Sequence, residues 1–356
     1  MFPYYCLVII PIIFTWQLHQ SGSIYLRKRT NELPITLFFL ILMILLFFKS
    51  TSVGIDTLNY VYYYNKIADS TFENLANFDI EYLYVILNKF ISHFFIDVRW
   101  LFVIVALISL IPMYLLYKED CEYVPMKILV FINLPMFPML FSGLRQAIAV
   151  SIGIISYFFV RKKRFFPYLI TVLIAFAFHR SAFILLLLYP IYHIRLKRKY
   201  LFFVIPIMIL IFIFNKQIFS FLSLFISEFF GDVKIMQTGA YAIMALFILF
   251  SIFSFVIPNE DLLDKETIGL RNILLLVTCL QFFVPLHPLS MRMNYYFIVF
   301  VPVLLPKIMK HANTNMTQIV QILNVVMCVF FIVYYFMGIH TGTDILRLYP
   351  YSFCWE

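Results

Sequence analysis

Apolar runs alternate with short polar segments from one end of the chain to the other. An α-helix needs roughly 20 apolar residues to cross the hydrocarbon core of a bilayer, so runs of this length read as membrane spans. The pattern predicts spans near Phe2 to Leu18, Pro34 to Phe48, Trp100 to Tyr117, Met126 to Phe141, Leu144 to Val160 and Phe165 to Phe178. Others follow near Ser181 to Tyr192, Leu201 to Phe214, Thr238 to Ile257, Leu270 to Leu286, Asn294 to Leu305 and Gln318 to Met337. The shorter ones must extend into loops, thin the bilayer or re-enter it. Ile80 to Ile96 is the most polar candidate. Glu81, Asn88 and Ser92 share one helical face, with Ile80, Tyr84, Leu87 and Ile91 on the other, which predicts an amphipathic juxtamembrane helix. The alternative is a full crossing there, with Pro135 and Pro138 breaking the fourth span into a hairpin.

Composition agrees with that reading. Of 356 residues, 63% are hydrophobic and 13% charged, about half the charged share of a soluble domain. Mean hydropathy is +0.93. Disorder, collagen, a secreted disulfide scaffold and a soluble nucleic-acid binder are excluded, because none combines 43 Phe with 9 Gly. Cys6, Cys121, Cys279, Cys328 and Cys354 form no zinc or disulfide spacing. The first apolar run has neither a basic leader nor a small-residue cleavage site, so it reads as a span. The fold class is all-α: a polytopic integral membrane protein of about 10–13 transmembrane helices with amphipathic juxtamembrane helices on the outer face.

The net charge of +9 sits in clusters between apolar runs: Arg27-Lys28-Arg29, Arg161 to Arg164, Arg195 to Lys199 and Lys307 to Lys310. These are expected to face the cytoplasm. With Ile80 to Ile96 kept at the surface, one parity satisfies all four. Both termini, the loop about 50–99, the loop about 215–237 and the tail about 338–356 are then extracytoplasmic. The same parity brings Asp56, Glu81, Arg145, His179, His287 and Arg292 to the outer face, around one outward cavity.

Each site has a structural reading beside the functional one. Gly54-Ile-Asp56 with Tyr60, Tyr63 and Tyr64 suits carbohydrate, because tyrosine rings pack on sugar faces and a carboxylate accepts a hydroxyl proton; a helix cap with interfacial tyrosines explains it equally well. Arg145 opens a span with Gly143, Ala147 and Ser151 at intervals of four, the spacing of close helix approach. An outer arginine runs against the positive-inside pattern, and a guanidinium grips a diphosphate bidentately. His179-Arg180-Ser181 sits between two apolar runs, where His179 is either a proton acceptor or a cap. Arg292, ahead of Tyr295, completes a two-arginine clamp or simply starts a helix. Asp120-x-Glu122 reads as a solvated turn, not a metal motif. Phe137, Phe141 and Phe176 are candidates to line a lipid groove. Ile218 to Phe230, ending near Glu228, is expected to lie in the interface as a lid.

Gly54, Asp56 and Tyr60, the Glu81-Tyr82 pair, Leu144-Arg145-Gln146-x-Ile-Ala149, Arg161 to Arg164, Phe178-His179-Arg180-Ser181-Ala182, and Arg292 ahead of Tyr295-Tyr296 occur in an order that resembles the EpsG family of bacterial membrane proteins. That family is similar to polysaccharide polymerases of the Wzy type. The resemblance covers nearly the whole chain as one domain, 1–356. Ahead of Gly-x-Asp, where it implies several basic residues that bind phosphate, this chain has only Lys49, which weakens that implication.

The resemblance implies a GT-C-like membrane glycosyltransferase of the bacterial cytoplasmic membrane, active on the extracytoplasmic side. It would join oligosaccharide repeat units carried on undecaprenyl or a related polyprenyl diphosphate, for capsule, exopolysaccharide or O-antigen, with a chain-length regulator and a flippase as possible partners. In that reaction Asp56, then Glu81, then His179 are the candidate bases, and Arg145, Gln146, Arg180, Arg292, Tyr60, Tyr82 and Tyr295 bind substrate. No cofactor or metal is implied. Two other classes remain open: a flippase or transporter for lipid-linked oligosaccharide, and a membrane acyltransferase acting on surface polysaccharide.

Overall fold

The computed structural model describes residues 2–20, 27–230, 235–236, 239–341 and 346–356. The side chains of Arg27, Lys28, Arg29 and Glu228 lie outside the described residues, as do parts of the 215–237 loop and of the 338–356 tail.

Among the described residues the elements are helices, with two isolated β-bridges, because in an apolar chain a helix satisfies its own backbone polar groups. In order they are α1 (Phe2–Gln20), α2 (Arg27–Phe47), α3 (Thr57–Ala68), α4 (Tyr82–Phe94), α5 (Arg99–Tyr117), α6 (Val124–Asn133), α7 (Met136–Ser142), α8 (Leu144–Arg161) and α9 (Phe165–Phe178). Then follow α10 (Leu188–His193), α11 (Leu201–Ile213), α12 (Asn215–Phe230), α13 (Tyr241–Val256), α14 (Lys265–Gln281), α15 (Pro288–Ile298), α16 (Val301–Lys310) and α17 (Thr317–Thr341). Among the described residues, α5, α8 and the Thr314–Thr341 helix are long and apolar enough to cross a membrane singly, and three bent pairs reach that length together. Four shorter apolar helices, within α1, α2, α9 and α13, add to the bundle. This is the architecture of a polytopic membrane protein.

Four expectations need correction. The fourth span is two helices, α6 and α7, meeting at 58°. Leu134 is extended at the break, as a residue before proline prefers, so Pro135 bends the chain without folding it into a full hairpin. The Ser181 to Tyr192 run starts as a 3₁₀ helix, Arg180–Leu187, before α10. In α4 the polar face is wrong: Asn88 is buried beside Tyr84 and Ile91 and donates to the Tyr84 carbonyl at 2.7 Å, while Phe90 and Phe94 are exposed. An amide that bonds its own helix can go inside, which a count of polar letters does not register. Phe137 and Phe141 do not line a groove; they are buried in a cluster of edge-on rings with Tyr4, Phe131 and Tyr335.

Helix α14 begins five residues before the predicted apolar run, because the Asp264 carboxylate caps it by accepting from the Thr267 amide at 2.6 Å. Its first turn anchors an ionic network at one end of the bundle. Arg161 pairs with Glu119 and Glu266, Lys307 with Glu266 and Asp120, and Lys310 with Glu122. Asp120 and Glu122 lie in a partly exposed turn, as expected, where the Glu122 amide donates to Asp120 Oδ1 at 3.2 Å, and both are also ion-paired. Buried Arg271 grips both oxygens of Glu260 at 2.8 and 2.9 Å. Arg161 and Arg145 stand at opposite ends of α8, so this basic end lies away from the candidate site.

Candidate functional site

At the Arg145 end a polar cavity of about 300 Å³ is lined by Asp56, Tyr60, Arg145, Gln146, His179 and Arg292 of the sequence-derived candidates. Five separate parts of the chain supply its walls: the Gly54–Asp56 turn with α3, the 79–84 segment that enters α4, the start of α8, the α9 end and α15. Asn59, Tyr63, Asp79, Ile80, Tyr84 and Gly143 complete the lining. Asn59 and Asp79 carried no motif; Asp79 had only its place two residues before Glu81 as a signal.

Local geometry explains each placement. Gly54 has φ of +92°, and a Cβ there would come within 2.4 Å of the Phe141 carbonyl oxygen. Glycine alone tolerates both conditions. Gly54→Ala is therefore expected to cost about 1–3 kcal/mol or more, read as a lowered melting temperature in detergent. Asp56 then meets the end of α7: Ser142 Oγ donates to its Oδ2 at 3.2 Å, and the Asp56 amide donates back to that hydroxyl at 3.3 Å. The Gln146 side chain donates to the Arg292 carbonyl, tying α8 to α15.

Glu81, the N-cap of α4, stands behind the lining. One carboxylate oxygen pairs with Arg145 and the other contacts His179 Nδ1 at 2.9 Å and the Arg180 amide at 3.3 Å. Burial pushes the Glu81 carboxyl up, but the His179 contact and the Arg145 charge outweigh it and hold it at about 2. Burial drives His179 below its ordinary value, against the raising influence of Glu81. A neutral His179 facing a carboxylate places its proton on Nδ1 and leaves Nε2 as a bare acceptor. That Nε2 is buried and has no hydrogen-bond partner among the described residues. An unpartnered buried acceptor costs about 1–3 kcal/mol.

Other candidates lie off the cavity lining. Tyr82 is exposed and Tyr295 is buried within α15; neither lines it. Arg180 touches the site through its amide. His287 caps α15 by accepting from the Leu289 amide at 3.0 Å and stacks on Phe219 of α12, so its position has a structural reason.

A second cavity, about 470 Å³ and almost wholly apolar, runs between α11, α13 and α14 from Leu201 and Val256 to Phe212 and Phe282. Its Phe282 end is held by Asn215, which donates to the Phe282 carbonyl at 3.0 Å, and Phe282 ends the helix whose outgoing loop leads to His287 and Arg292.

No curated protein and no solved structure matches this chain. A model described as the EpsG family matches residues 32–353. That range contains every wall of the polar cavity, and the chain belongs to the EpsG family, a family of Wzy-like polymerases.

Proposed function

We propose that this protein is a GT-C-like polysaccharide polymerase that joins polyprenyl-diphosphate-linked oligosaccharide repeat units in the polar cavity, on the extracytoplasmic face of a bacterial cytoplasmic membrane. The observation that carries this reading is that His179, whose Nδ1 is backed by Glu81 and whose Nε2 is unpartnered among the described residues, lines one cavity with two arginines. Capsule, exopolysaccharide and O-antigen are the pathways such a product enters.

The reaction divides between the walls. Tyr60 and Tyr63 pack against the acceptor sugar, and Asp56 accepts from its hydroxyls. His179 Nε2 takes the proton of the attacking hydroxyl while that oxygen bonds to the anomeric carbon of the donor glycan. The bond from the anomeric carbon to the diphosphate breaks, and its electron pair leaves on the phosphate oxygen. Arg145 and Arg292 stabilise that growing charge. Glu81 orients the imidazole and offsets the charge it gains. This orders the candidate bases as His179 ahead of Asp56 and Glu81, because Glu81 is committed to an ion pair and Asp56 already accepts from Ser142. The polyprenyl chain lies in the apolar groove of α11, α13 and α14, with α12 beside its site end.

The test is purified protein in liposomes given a polyprenyl-diphosphate-linked repeat unit, followed by a gel for ladders. A ladder that persists in chelator is the expected result, since two cations already face the leaving group. Absence of a ladder from folded protein under every metal condition sinks the reading. The bare imidazole also suits acyl transfer; that alternative predicts cells whose His179→Ala chains have normal length and lack a substituent.

A further inference from the structure

Lys49 follows the end of α2 by two residues and is buried at 1% exposure, and it does not line the polar cavity. The phosphate-binding role that a cation ahead of Gly-x-Asp suggests is therefore not the one its geometry serves. Its ammonium donates to Thr57 Oγ1 at 2.9 Å, to the Val53 carbonyl at 3.3 Å and to the Phe141 carbonyl, and it sits 5.0 Å from the centre of the Phe102 ring. Val53 and Thr57 bracket the Gly54–Asp56 turn. Phe141 belongs to the last turn of α7, whose carbonyls lack intrahelical partners and favour a cation.

The same Phe141 oxygen is the atom that forbids a Cβ on Gly54. One ammonium thus joins the turn carrying Asp56 to the helix end that leads, through Ser142 and Gly143, to Arg145. The opposite side of the turn is held by the C-terminal tail, where Gly54 and Ile55 donate to the Arg347 and Leu346 carbonyls, both at 2.9 Å. Ser50 bonds the Ser352 carbonyl at 2.9 Å as well.

We propose that Lys49 is a positioning residue that fixes Asp56 relative to Arg145, so that the acceptor wall and the leaving-group wall keep one spacing. What passes between those walls rests on the polymerase reading; the joint itself does not. Lys49→Met keeps the stem and removes the ammonium from the Phe141 carbonyl and the Thr57 hydroxyl, while that hydroxyl still donates to the Val53 carbonyl at 2.6 Å. A misplacement of about 1 Å at a reacting site costs on the order of 10²-fold in rate.

The experiment uses full-length protein in liposomes carrying Lys49→Met, Asp56→Asn or both, with hydrogen exchange measured over residues 50–58. Lys49→Met is expected to lower kcat for chain lengthening by about 10²-fold with KM for the lipid-linked unit little changed. Because Lys49 acts through Asp56, the double variant should fall about threefold or less below Asp56→Asn alone. Amides of the turn should exchange about tenfold faster. Multiplying losses in the double variant, a raised KM at constant kcat, or unchanged exchange each overturns the proposal. If Lys49→Met does not fold, Thr57→Val decides, since it removes one of the three acceptors: slower lengthening with faster exchange supports the joint, and wild-type behaviour in both overturns it. A wild-type protein that makes no ladder refutes the polymerase reading, while the exchange comparison still decides the role of Lys49.

Discussion

His179→Ala is expected to slow chain lengthening by about 10²–10⁴-fold while leaving binding of polyprenyl diphosphate intact, because both arginines remain. The measurement is the initial rate of ladder formation in liposomes, paired with binding of the lipid product. A folded His179→Ala protein within tenfold of wild type would remove the imidazole from the chemistry. The pH profile gives an independent check. The base is the neutral imidazole, and burial holds its pKa below the ordinary 6.5. The rate should therefore be flat at neutral pH and fall as pH drops through that lowered value. Glu81 raises the His179 pKa, so Glu81→Gln should move the acid limb further down and also lower the plateau, since an amide cannot offset an imidazolium charge.

Stability should follow acid in the same direction. Glu81 has a folded pKa of about 2, below its usual 4.5, so its contribution is full above 4.5 and lost as pH falls toward 2. A buried neutral histidine adds to this, because the unfolded chain takes up a proton near 6.5 that the folded one resists. Asp56→Asn should leave both acid effects in place. A melting temperature that is independent of pH between 7 and 2 would mean that the Glu81 and His179 contacts contribute nothing to the fold.

Much of the site was legible in the sequence because membrane parity is a strong constraint. Few charged residues stand apart from the basic clusters, so a parity that puts the clusters on one side is expected to gather Asp56, Arg145, His179 and Arg292 at the other; the structure brings these four to one cavity, which a shared face alone does not require. Distances were not legible. Glu81 and Asp56 look interchangeable as letters, yet one is locked between Arg145 and His179 and the other lines the cavity. His287 looked like part of the constellation, but its imidazole caps α15, a role set by the helix start and not by residue type. Lys49 read as a weakened phosphate motif because its burial depends on where α7 ends, and that end depends on Pro135 bending a span that hydropathy draws as continuous. Asp79 was missed because it belongs to no periodic face.

The two arginines should fail differently, and the difference tests whether the clamp is real. Arg292 is exposed at the cavity, so Arg292→Ala is expected to lower chain lengthening by about 10²–10³-fold, the loss typical of removing one donor to a developing anion, with the melting temperature little changed. Arg292→Lys should recover only part of this, because an ammonium cannot present the two parallel donors of a guanidinium. Arg145 has a second task. Its partner Glu81 has a side chain only 10% exposed, and removing one member of such a pair leaves a poorly solvated charge, a loss that approaches about 3–5 kcal/mol in fully buried cases. Arg145→Ala should therefore reduce both activity and melting temperature. Adding Glu81→Gln to Arg145→Ala removes the stranded charge and should restore the melting temperature without restoring the ladder. If the double variant regains lengthening, Arg145 serves Glu81 alone and the leaving diphosphate is held by Arg292 without it. If the melting temperature stays low, the ion pair is not what stabilises this end of the bundle.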